Sequence, residues 1–212
     1  MQKLSYAFAL SIALAACGGQ NVWVDQELAA VQEAAINGDQ DAMEELERRV
    51  RSTLAEMEDA AEAGDPKAEF DRAFGSGDMA RVETLADAGN SYAQTHMAGS
   101  IAGQSPSDED KSRARAYLEA AAAQDNPTAI FLMSEDYLSS SNLYPADEAK
   151  ALELGERAAS LGHAEAMFKT GVRYQYGLAT AAQDKTKARE WFNQALAAGY
   201  RDAQRQLDEL GD

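Results

Sequence analysis

"KAREWFNQALAAG" runs from Lys187 to Gly199. Its apolar residues Ala188, Trp191, Phe192, Ala195 and Leu196 fall at i, i+3, i+4, i+7 and i+8, one stripe of an α-helix. Gly199 suits the left-handed residue that closes such a helix. A helix with a single apolar stripe needs a neighbour to cover it. The question is what covers this one.

The chain supplies the answer by repetition. Stepping back 37 residues takes Asp184 to Asp147 and then Asp110. In the same phase Lys187 meets Lys150 and Arg113, and Ala188 meets Ala151 and Ala114. Trp191 meets Leu154 and Tyr117, Ala195 meets Ala158 and Ala121, and Gly199 meets Gly162 and Asp125. An Ala stands four residues after each repeat Gly, at Ala42, Ala68, Ala93, Ala166 and Ala203, and Asp125 keeps the same spacing to Ala129. Eight residues beyond that Ala come Ile101, Tyr137 and Tyr174.

Ala166, Thr170, Gly171 and Tyr174 share one helix face. Gly171 costs helix propensity, which fits a close approach by another helix, and its counterparts Ser134 and Ala98 are also small. Each unit therefore reads as a helix, a loop and a second helix. One such hairpin cannot bury its apolar face alone, but stacked neighbours can. The expected fold is all-α, an α-solenoid of stacked antiparallel helix hairpins. A bulky slot filled by Trp191, Leu154 or Tyr117 is a packing slot, so Trp191 is expected to lie largely buried between helices rather than to hold a ligand.

At these residues the chain resembles the Sel-one-like repeat family, relatives of the tetratricopeptide repeats. Ala166, Gly171, Tyr174, Gly177, Asp184, Lys187, Ala188, Trp191, Ala195 and Gly199 match the family pattern directly. Thr170 stands where the pattern has Leu, and Leu196 where it has a second Ala. The resemblance runs from about Gly89 to Ala203 and fades from Ala60 to Gly89. It implies an adaptor for assembling protein complexes. The expected organisation is repeats over 89–212, preceded by acidic helices over 25–88 that are degenerate repeats or a cap.

Composition agrees with helices. The 212 residues are 45% hydrophobic with only four prolines, and alternating runs of β-branched residues are absent. The formal charge is −17. Nucleic acid is excluded as a partner, since phosphate contacts need clustered Lys and Arg, and anionic headgroups repel such a chain. From Asp25 to Asp65 there are 13 acids against 3 arginines. That window reads as a solvated helical face, or as a docking surface for a basic partner.

The first residues read as an address. "MQKLSYAFALSIALAACGG" places Lys3 before an apolar run, Leu4 to Ala13, followed by Leu14-Ala15-Ala16-Cys17. The run is too short for a permanent span and matches a secretory signal. Leu-Ala-Ala-Cys resembles the lipobox of bacterial lipoproteins, in which the chain is cut before the Cys and the thiol is acylated. The resemblance implies a signal peptide over 1–16, a lipid anchor at Cys17 and a tether over 17–24. Cys17 is the only cysteine, so no disulfide and no thiol nucleophile is expected in the folded part. Gly18 and Gly19, with no Asp after the Cys, favour the outer membrane over inner-membrane retention. The expected location is the bacterial envelope, facing the periplasm.

Chemistry-bearing motifs are sparse. His96 and His163 lack a second His or Cys at metal-ligand spacing, and His163, just after a repeat Gly, is expected at the surface. "GSG" at Gly75 to Gly77 is a turn and not a nucleophile elbow, and "SDEDKS" lacks the Gly and distal Glu of a calcium loop. No catalytic residue, metal or cofactor is expected. The leading function is a non-catalytic scaffold for an envelope protein, with a candidate partner surface at Asp136, Tyr144, Lys169, Arg173 and Tyr176. A carbohydrate or peptide receptor would use exposed Tyr144 and Tyr176. A cell-wall hydrolase or β-lactam-binding enzyme is the least favoured class, since the relatives proposed for it carry a disulfide in each repeat.

Overall fold

The structure, a computed structural model, describes residues 26–104, 107–139 and 143–211. The expected signal peptide over 1–16, Cys17 and the expected tether over 17–24 lie outside these residues. The described chain is helical and, among the described residues, holds no strand. The helices are α1 (Gln26–Ile36), α2 (Gln40–Glu62), α3 (Pro66–Gly75), α4 (Met79–Asp87), α5 (Ser91–Ala102), α6 (Asp108–Ala123), α7 (Pro127–Ser139), α8 (Glu148–Ser160), α9 (Ala164–Tyr176), α10 (Lys185–Ala197) and α11 (Ala203–Leu210). They form two compact units divided between Val82 and Glu83.

In the first unit α1 packs on α2, and α2 on α3. Its apolar interior is thin: Ala61, Ala68 and Ala73 are buried, while Ile36 and Leu54 are exposed. Charge does part of the ordering. Arg72 reaches across from α3 to Glu58 of α2 at 2.8 Å, and Glu45 pairs with both Arg48 and Arg49 along α2.

The second unit holds three antiparallel hairpins, α5–α6, α7–α8 and α9–α10, stacked in chain order and followed by α11. The hairpin boundaries explain the Gly-x3-Ala spacing. Gly162 takes φ +95°, and the next amide, His163 N–H, reaches back to the Ala158 carbonyl at 3.1 Å. This closes α8 and turns the chain into α9. Asp125, in the Gly162 phase, adopts φ +57° and keeps the same bond, from Asn126 N–H to the Ala121 carbonyl. The residue after the turn then caps the next helix. Asn90, Asn126 and His163 accept from the amides of Ala93, Ala129 and Ala166 at 3.1, 3.1 and 3.2 Å. Those alanines are at most 1% exposed, so the recurring Ala fits its helix against the stack with its amide already paired.

The second helices are capped in two ways. Asp147 and Asp184 accept from the amides of Lys150 and Lys187, at 2.9 and 3.0 Å. In the first hairpin the cap falls instead on Ser107. Its hydroxyl accepts from Asp110 N–H while the Asp110 carboxylate returns to Ser107 N–H, a capping box.

Packing follows the 37-residue phases. Ala114, Ala151 and Ala188 are fully buried, as are Ala121, Ala158 and Ala195. The bulky slot departs from expectation. Leu154 and Tyr117 are buried, but Trp191 is only half-buried, and the fully buried ring is its neighbour Phe192. The reason is position in the stack. α6 and α8 each have a further hairpin beyond them, whereas α10 is followed among the described residues only by the eight-residue α11. Phe192 seats on Gly171, where a Cβ would lie 2.7 Å from the ring. Phe192→Ala is expected to cost about 3–5 kcal/mol, and Trp191→Ala clearly less, in denaturant unfolding of the full chain. Thr170 is fully buried, and among the described residues its hydroxyl has no partner. Thr170→Val is expected to raise stability by about 1 kcal/mol in the same measurement.

Candidate partner-binding surface

The first helices of the hairpins, α5, α7 and α9, carry most of the residues singled out from sequence. The structure sorts them into two groups. Arg173 and Tyr144 are interior, not surface. Arg173 is 5% exposed, and its Nη2 donates to Glu135 Oε1 at 2.9 Å across the α7–α9 boundary. Room for its guanidinium comes from Gly155, where a Cβ would lie 2.1 Å from Arg173 Nη1. Gly155 occupies the phase filled by Leu118 in the first hairpin and Phe192 in the third. At the middle hairpin the apolar plug is therefore replaced by a buried cation that reaches in from α9, paired as burial demands.

Tyr144 is 8% exposed and stacks on Tyr137 with ring centroids 4.7 Å apart. Burial, and then the nearby Glu119 carboxylate, push its phenol above the usual range. The loop that carries it is held from two sides. Asp136 Oδ2 accepts from the amides of Leu143 and Tyr144 at 3.1 and 2.7 Å, and Arg115 donates to the Leu143 carbonyl at 3.1 Å. Asp136 is thus a loop clamp that also faces the surface between α5 and α7.

Lys169 is partly exposed and binds Glu135, with Glu165 at 3.4 Å. Burial pulls its ammonium pKa down, but the hydrogen bond and field of Glu135, with Glu165 behind, outweigh this and hold it above its ordinary value. Its Nζ lies 5.1 Å from the Phe131 ring, and Phe131 stacks on His163 at 4.5 Å. His163 is a further correction to the sequence reading. It is 8% exposed, because its ring must turn inward for Nδ1 to cap Ala166. Tyr176 is 54% exposed at the end of α9, with Leu178 beside it.

A feature with no counterpart in the sequence reading lies between α5 and α7. A groove of about 300 Å³ is lined by Ala98, Gly99, Ala102, Leu118, Leu132 and Leu143, with Glu135, Asp136 and Ser139 at its lip. It exists because α5 is stripped of side chain there. Gly99 stands in the phase of Glu135 and Val172, and Ala102 in the phase of Leu138 and Gln175. That contrast was the available signal. Among the described residues no cluster of three or more His, Cys, Asp or Glu is placed to hold a metal ion, and no helix is long and apolar enough to cross a membrane.

The His163 cap makes stability depend on pH. Burial holds its imidazole below the usual histidine value, Lys169 pushing the same way and Glu165 opposing. The unfolded chain therefore takes up this proton first as pH falls. The contribution is complete above about pH 6.5 and is lost as pH drops toward the folded value, with a slope of at most about 1.4 kcal/mol per pH unit. His96, also held low by burial, adds a similar trend. His163→Asn, which restores the cap used at Asn90 and Asn126, is expected to flatten part of the slope in melts between pH 7 and 5 without loss of stability at pH 7.5.

Comparison with known proteins places the fold. No curated protein sequence matches the chain. A crystal structure of a Sel1 repeat protein from Oxalobacter formigenes is 27% identical with a TM-score of 0.54, covering 62% of this chain and 98% of that one. A protective antigen of uropathogenic Escherichia coli displaying an SLR fold is 20% identical with a TM-score of 0.58. It shares the fold over 87% of this chain, which spans 44% of its length. Sel1 repeats generally serve as protein–protein interaction modules and are typically non-catalytic scaffolds. The Sel1 repeat profile matches residues 91–126, 127–163 and 164–200, the same three hairpins described above, and with just over half of its length in these repeats the chain belongs to the Sel1 repeat family.

Proposed function

We propose that this chain is a lipid-anchored adaptor of the bacterial cell envelope, facing the periplasm from the outer membrane and holding a protein partner on α5, α7 and α9. The observation that carries the reading is how the polar side chains of these helices are used. Asn90, Asn126 and His163 cap helices, Asp136 clamps a loop, and Glu135, Lys169 and Arg173 satisfy one another. These groups build a scaffold, and what they leave open among the described residues is a surface groove rather than a converging set of acid, base and nucleophile. The anchor rests on Leu14-Ala15-Ala16-Cys17. One acyl chain binds a membrane only marginally, so the diacyl modification that the lipobox implies gives firm attachment. The saccharide-receptor reading loses Tyr144, one of its two aromatic platforms, to the interior.

Two measurements test this in the native host. Radiolabelled palmitate should enter the full chain and not the Cys17→Ser variant, with the label in the outer-membrane fraction. An unlabelled, freely soluble wild-type protein would sink the anchor. A photoreactive residue at Ser100 or Ser139, on the first-helix face, should crosslink to a defined protein, whereas one at Glu190 of α10 should not. Equal adducts from both faces, or none, would count against the adaptor.

A further inference from the structure

We propose that Asn37, in the turn between α1 and α2, is a site of spontaneous modification, where the main chain converts the carboxamide to aspartate and isoaspartate and so loosens α1 from α2. Six short turns between the described helices are closed by a glycine with positive φ. In five of them the residue before that glycine is Ala63, Ser76, Ala88, Leu161 or Ala198, and in the sixth it is Asn37. Asn37 alone therefore holds a carboxamide one residue before a glycine nitrogen, the reach needed to close a five-membered ring.

The chemistry uses the chain and water. The Gly38 nitrogen loses its proton to hydroxide and attacks Asn37 Cγ, so the rate rises with pH. The Cγ–Nδ2 bond breaks, and Nδ2 leaves as ammonia after taking up a proton. One water then opens the succinimide. Addition at Cγ gives aspartate, and addition at the main-chain carbonyl carbon gives isoaspartate. The net change exchanges ammonia for water, with nothing oxidised or reduced.

The fold leaves this turn accessible. Asn37 is exposed, and no hydrogen bond of its carboxamide is found among the described residues. Ile36 before it is 81% exposed, so no packed side chain pins the end of α1. Gly38 takes φ +95°, and a Cβ there would meet nothing within 4 Å, so the nitrogen is unshielded on that side. What holds the turn is a pair of bonds, from Gly38 N–H to the Ala35 carbonyl and from Asp39 N–H to the Ala34 carbonyl, each 3.1 Å. Fraying of one exposed helix end releases both. Other asparagines among the described residues are placed differently. Asn90 and Asn126 are buried with Oδ1 held by backbone amides, and Asn126 precedes Pro127, which has no N–H to lose. Asn193 is exposed but lies inside α10, followed by Gln194.

The product cannot rebuild the turn. Isoaspartate adds a methylene to the main chain between the two helices, so the two turn bonds and the Asp39 cap on Ala42 N–H can no longer all form. It also adds a carboxylate at the C-terminal end of α1, where the helix dipole disfavours negative charge. α1 is the described helix nearest to Cys17 in sequence, so the loosening falls between the repeats and the proposed anchor.

The test incubates the full-length chain in mild detergent at 37 °C, at pH 7 and pH 8.5, in heavy-oxygen water, with peptide mapping by mass spectrometry. Asn37 is expected to convert at least tenfold faster than Asn90, Asn126 and Asn193, faster at pH 8.5, with one heavy oxygen taken up and two products resolved. A synthetic peptide spanning residues 33–43 sets the unfolded rate. Asn37 left intact in the protein while the peptide converts, or converted no faster than Asn193, overturns the proposal. Converted protein, separated by anion exchange, is expected to show at least tenfold faster hydrogen exchange at α1 amides than unconverted protein. Asn37→Asp, which adds the charge without the methylene, should show a smaller rise, and Asn37→Ser should stay unchanged through the incubation. Exchange at α1 that is equal before and after conversion would overturn the loosening.

Discussion

Close approach of helices at fully buried alanines is the constraint on which the second unit depends. Ala114, Ala151 and Ala188 recur in one phase, and Ala121, Ala158 and Ala195 in another, all without solvent exposure. A methyl group lets two helix backbones come near, but it contributes little apolar area by itself. The larger side chains must then be fitted into what space remains, each against a small residue opposite. Phe192 over Gly171 is the plainest case. Stability in such a stack arises between neighbouring hairpins more than within any one of them.

The same constraint explains where charge enters the interior. The middle hairpin has Gly155 where its neighbours have Leu118 and Phe192, and Ser134 stands opposite. The Arg173 guanidinium fills the gap and is matched by Glu135, which in turn holds Lys169. This cluster links α7 to α9 and removes two cations from the candidate surface. The first hairpin solves the same space with Leu118 against Ala98, and its further losses at Gly99 and Ala102 open the groove. One repeat pattern thus yields a plug, an ion cluster and a groove, according to which side chain each copy carries.

The helix boundaries were legible because they are local. A left-handed residue, a capping side chain and the amide of the Ala three residues on lie within one turn of chain, so spacing alone reveals them. His163 shows the limit of that reading. Its place after Gly162 was visible, but the usual expectation for that place was an exposed residue. The ring is buried because capping with Nδ1 turns it toward Phe131, a residue of the preceding hairpin. Trp191 fails for a related reason. Its phase marks it as a packing residue, yet its exposure depends on how much helix follows it in the stack.

Sequence by itself determined the helical hairpins, their number over the last half of the chain, their phase and the family they belong to, because a 37-residue period carries its apolar stripe, its caps and its turn residues along the chain. Tertiary structure alone decided which members of those phases face solvent. Tyr144 folds inward onto Tyr137, Arg173 enters the space that Gly155 leaves, and Gly99 opens a groove onto Leu118 and Leu132. At Arg173 and Gly99 the outcome depends on the volume of a residue about half a repeat or more away in sequence and adjacent in space, and at Tyr144 on a loop that folds back onto its own helix; periodicity along the sequence encodes neither pairing.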